Sequence, residues 1–133
     1  MNHLDTKHRA YSQVPLSEWP HGLERELAVL RAFPDGLAAR LDLKFMPSQD
    51  NLDSFVGALV ELQNRKCFAL LRHTHYPAPG TLIFANHNSN DLAQDFRDLM
   101  QALALTEDDF LWVAPEAAPG TANNVNLIEA ASH

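Results

Sequence analysis

Two histidines one residue apart, His73 and His75, are the first residues whose types and spacing suggest chemistry. Alternate side chains of a strand share a face, so the two imidazoles stand on one side with Cα atoms about 7 Å apart, a spacing that metal sites use. A third ligand is required, and Asp50 or Asp53 is placed to supply it from the start of the helix expected after the first strand. His87 is kept away from this pair, because it ends the next strand of an antiparallel hairpin and so reaches the opposite sheet edge. The competing interpretation makes Arg72, His73, His75 and Tyr76 the polar dressing of an edge strand, where charge and bulk discourage stray pairing.

The run Asn86-His87-Asn88-Ser89-Asn90-Asp91 leads from a strand end into a helix. Free N–H groups at a helix start attract anions, so Asn86, His87, Asn88 and Ser89 form a candidate ligand site with His87 as acid or base. The same residues are what an ordinary turn and helix cap require, and Asp91 would repel an anion. Asp91, Asp95 and Asp98 recur at helical spacing, and Glu107, Asp108 and Asp109 follow, making an acidic ridge suited to a basic partner surface or, more plainly, a solvated helix face. Cys67 has no neighbour in sequence that would lower its pKa and is read as an inert thiol. No glycine-rich phosphate loop, Gly-x-Ser-x-Gly elbow or His-Glu-x-x-His helix is present, and no cofactor is expected.

The elements that must position these residues follow from hydrophobic spacing. Residues 1–16 are polar and aperiodic and are expected to form an N-terminal arm. Ser17 opens an amphipathic helix with Trp19, Leu23, Leu27 and Leu30 on one face, ended by Pro34-Asp35-Gly36. Leu41–Phe45 alternates as a first strand. Ser48 or Asp50 caps a first crossover helix with Leu52, Phe55, Val56, Leu59 and Leu62 on one stripe. Cys67–Tyr76 and Thr81–Asn86 flank Pro77-Ala78-Pro79-Gly80 as a hairpin. Asn88 or Ser89 caps a second helix through Leu103, and Phe110–Val113 closes the sheet.

This order is an α+β, ferredoxin-like βαββαβ fold, an antiparallel sheet with two helices on one face and an extra N-terminal amphipathic helix. One domain spans 17–115, with a tail at 116–133. The segments Phe68–Leu71, Leu82–Ala85 and Phe110–Val113 are apolar at both parities, so the second sheet face must also be hidden, by the opening helix or by a second copy in a homodimer.

A net charge of -7 disfavours direct nucleic-acid binding and anionic membranes. One cysteine excludes an internal disulfide and fits a reducing, cytoplasmic setting. With no apolar run of about 18 residues, no membrane span is expected. Negative charge without a catalytic constellation points to a non-catalytic protein-binding regulator or inhibitor. It would resemble immunity proteins, antitoxins or secretion chaperones in docking on a basic partner. The alternative is a small-molecule-binding or metal-dependent enzyme using its strand-end histidines. A self-associating structural domain is the third class.

Overall fold

The computed structural model describes residues 10–51 and 53–118. The ferredoxin-like order is overturned: the described chain is a seven-stranded antiparallel sheet with two α-helices. The strands are β1 (Tyr11–Val14), β2 (Leu23–Leu30), β3 (Met46–Gln49), β4 (Ser54–Leu62), β5 (Cys67–His73), β6 (Thr81–Asn86) and β7 (Phe110–Val113). Helix α1 covers Pro34–Leu41 and α2 covers Leu92–Leu103. The sheet runs β1-β4-β5-β6-β2-β7, and β3 also pairs with β4. β1 takes Leu59–Leu62 and β3 takes Ser54–Gly57, so the two lie end to end along one side of β4.

The expected N-terminal helix is instead a 3-10 turn at Leu16–Glu18 followed by β2. Two register shifts in the pairing of β2 with β6, between Leu23 and Arg25 and between Glu26 and Ala28, explain why its sequence imitates a helix. A bulge breaks the two-residue alternation. Leu27, Ala28 and Leu30 therefore join one core while Leu23 and Val29 join the other. Pro34 does not end a helix but starts α1 at its first turn, where its missing N–H costs nothing. The expected first strand, Leu41–Phe45, is the end of α1 and a loop, with Asp42 left-handed at φ 54°.

The expected first crossover helix is β4, a central strand. Its burial on both faces erases the alternation that marks a half-exposed strand. Phe55 and Leu59 face one core, and Ala58, Val60 and Leu62 the other. Leu52, included in the expected helical stripe, lies outside the described residues, as do 1–9 and 119–133.

The hairpin of β5 and β6, the helix α2 and the final strand stand where the hydrophobic spacing puts them. Asp91, not Asn88 or Ser89, caps α2: its carboxylate accepts the Gln94 N–H at 3.0 Å. β5 is an interior strand between β4 and β6, so the edge-strand interpretation of Arg72 and His73 does not hold.

Both helices cover one face. Leu37 and Leu41 from α1, and Leu92, Phe96, Leu99 and Leu103 from α2, meet Leu27, Val60, Phe68, Leu70 and Ile83 from the strands. The second face buries Val29, Phe55, Leu59, Ala69, Leu71 and Leu82. Leu16 and Trp19 from the connection between β1 and β2 pack against it, and among the described residues no α-helix joins this core. Ala117 is buried in the helical core and Tyr11–Val14 is part of the sheet, so ordered structure runs past both ends of 17–115. Among the described residues no helix is long and apolar enough to cross a membrane.

Candidate functional site

The short loop between β3 and β4 folds back on itself, with the Asp50 N–H donating to the Asp53 carbonyl at 2.9 Å. β4 pairs with β5 so that Phe55 stands opposite His73, which brings this loop beside the end of β5. Asp50 Oδ2 lies 2.9 Å from His73 Nε2, and Asp53 Oδ1 lies 2.6 Å from His75 Nδ1. The structure thus brings together all the residues of the metal proposal, but as two separate imidazole–carboxylate pairs. Among the described residues no group of three or more His, Cys, Asp or Glu side chains is arranged to hold a metal ion.

Asp53 is a structural clamp. Burial alone would raise its carboxyl, but the His75 ring and the backbone N–H groups of His75, Tyr76 and Ser54 outweigh that and bring it down to about 2. His73 contacts the edge of the Phe55 ring, with centroids 5.9 Å apart, and Trp19 approaches Phe55 at 6.1 Å. These aromatic contacts lead into a cleft of about 710 Å³ on the second sheet face.

Leu23, Phe55 and Leu71 form its floor, with Leu16, Trp19 and Phe84 around them. Glu24, Glu26 and Asp50 also line it, and among the described residues no Lys or Arg does. An apolar concavity with a few convergent polar groups is the usual form of a binding site. Glu24 and Glu26 belong to no chemical motif in the sequence, and the helical spacing of Leu23, Leu27 and Leu30 conceals their place on a strand.

No family model matches the chain, and neither curated proteins nor solved structures give a match.

In the turn before α2, the Asn86 side-chain oxygen accepts the Asn88 N–H at 2.8 Å. The His87 ring Nδ1 and backbone N–H both reach the Gly22 carbonyl, at 3.0 and 2.9 Å. Ser89 Oγ donates to Asp95, which is itself buried. These contacts are those of a turn and a cap, and they place His87 at the opposite end of β6 from His73 and His75.

Within the acidic ridge, Lys66 Nζ sits 2.7 Å from both Asp95 and Asp98. The hydrogen bond from Lys66, followed by that from Gln94, holds the Asp98 carboxyl below its ordinary value. Arg40 makes a two-pronged contact with Asp109 at 2.8 and 3.1 Å. That contact, working against burial and helped by the Thr106 N–H, lowers Asp109 to about 2. Asp91 is engaged as the cap of α2, while Glu107 and Asp108 are exposed. Cys67, half-buried, is pushed up by burial and by the nearby Glu61 charge, which disfavours the reactive thiolate.

Proposed function

We propose that this chain is a non-catalytic protein-binding regulator or inhibitor, comparable to immunity proteins, antitoxins or secretion chaperones, acting in the cytoplasm on a partner with a basic surface. The observation that carries this reading is how the charges are spent. Arg25 pairs with Glu116, Arg40 with Asp109 and Lys66 with Asp95 and Asp98. Arg31 and Arg72 donate to backbone carbonyls, and Arg97 to Gln94. Much of the positive charge is thus turned onto the chain's own acceptors, while the chain as a whole keeps a net charge of -7. Such a surface repels nucleic acid and steers a basic protein toward it.

Of the acidic ridge, Glu107 and Asp108 are exposed and so accessible to a partner, whereas Asp95 is buried and Asp98 and Asp109 are half-buried. The test is capture of a partner from the protein's own cell lysate at two ionic strengths. A specific basic protein should be retained at low salt and released at high salt, and Glu107→Lys with Asp108→Lys should weaken its retention. Recovery of no partner at low ionic strength sinks the proposal.

A second reading, a small-molecule or metal-dependent enzyme, draws support from the Asp50–His73 pair beside the cleft. Elemental analysis of the purified protein, alone and with His73→Ala and His75→Ala, tests its metal form. A stoichiometric metal lost in the variants would favour it over the regulator.

A further inference from the structure

We propose that the cleft on the second sheet face receives an apolar side chain flanked by lysine or arginine, presented on a segment of the partner protein. This rests on the reading of the chain as a protein-binding regulator and deepens it by naming the recognition element.

The size fits: about 710 Å³ lies within the roughly 300–1,000 Å³ of typical binding pockets and exceeds what one side chain fills. The floor of Leu23, Phe55 and Leu71 offers no polar partner, so the inserted group must be apolar. The remaining lining residues set the charge of the occupant. Glu24, Glu26 and Asp50 face the cleft and no Lys or Arg lines it among the described residues, so an anion is repelled and a flanking cation is drawn in.

The walls are held before any ligand arrives. Trp19 Nε1 donates to the Leu23 carbonyl at 3.2 Å, fixing the indole. On the other side, Asp50 is tied to His73 at 2.9 Å and to the Asp53 carbonyl through its N–H. A preformed site loses less on binding to the ordering of its own side chains. Trp19 is a rigid, partly exposed aromatic of the type that anchors interfaces.

Three synthetic peptides test this against the full chain: one with a Leu-Phe centre flanked by arginines, one with glutamate replacing each arginine, and one with serines replacing Leu-Phe. The readout is the Trp19 indole resonance together with the Phe55 and Leu71 amides. The first peptide should shift them saturably, and both counterparts should bind at least about tenfold more weakly, as should the first peptide against Glu24→Lys with Glu26→Lys. Both glutamates are exposed, so that variant should keep its unfolding midpoint.

No response to any peptide at millimolar concentration overturns the proposal, as does equal binding of the glutamate peptide. Binding of phenethylamine as tight as that of the first peptide would assign the cleft to a small molecule instead. Resonances that move with protein concentration alone would assign it to a second copy. Full capture of the lysate partner by the Glu24→Lys, Glu26→Lys protein sinks the cleft while leaving the regulator standing. Absence of a partner sinks the regulator, and the peptides still decide the cleft.

Discussion

Asp109 and Asp53 are both held at about 2, well below the ordinary 3.8. A carboxyl depressed in the folded state contributes stability that is complete above its unfolded value and lost as pH falls through the folded one. For Asp109 the window therefore runs from about pH 4 to about pH 2. Arg40→Ala removes the largest cause of the shift. Because the pair is partly exposed, the variant should lose only about 0.5–1 kcal/mol at neutral pH. Its stability should also fall less steeply between pH 4 and 2, as measured by urea unfolding across that range. Parallel curves for the two proteins would show that Arg40 does not set the acid sensitivity. In sequence Asp109 was one acid among several. Its partner lies 69 residues away, a proximity that no local spacing reveals.

At the scale of elements, the β5–β6 connection shows how a local signal was legible while its tertiary reason was not. Proline and glycine in Pro77-Ala78-Pro79-Gly80 announce a turn from chemistry alone. What the sequence does not disclose is that a Cβ at Gly80 would lie 1.7 Å from the Leu30 carbonyl oxygen of the adjacent β2. Gly80→Ala must displace the backbone of one strand. It should cost on the order of 3 kcal/mol in chemical denaturation, well beyond an ordinary surface substitution. A loss under about 0.5 kcal/mol would contradict the close approach. The element that misled most was β4. Phe55, Val56, Leu59 and Leu62 fit a helical stripe because apolar side chains on both faces of a strand satisfy almost any period. Gly57 and the β-branched Val56 and Val60 were the counter-signals.

The whole molecule is a sheet with a core on either side. Leu70 on the helical face and Leu71 on the other are 0% and 1% exposed. Leu70→Ala and Leu71→Ala should therefore each cost roughly 2–5 kcal/mol by urea denaturation. A Leu71→Ala protein as stable as the parent would mean that the second face is not a true core. This symmetry also bears on self-association. The second face buries Leu23, Phe55, Leu59 and Leu71 within one chain and leaves Trp19, Phe84 and Trp112 partly exposed, with Trp19 and Phe84 lining the cleft.

Composition and spacing determined the size of the core, the negative surface, the β5–β6 hairpin, α2 and the final strand, because each of these is encoded within a short stretch of chain. The need to bury both sheet faces was legible too, from segments apolar at either parity. Only the tertiary structure decided that the stretch from Ser17 to Leu30 becomes a turn and a bulged strand, that β4 is a strand, and that Asp50 and Asp53, expected near His73 and His75, meet them as two separate pairs. Those outcomes depend on hydrogen-bond partners supplied by distant strands, and such pairing overrides the local preference for a helix.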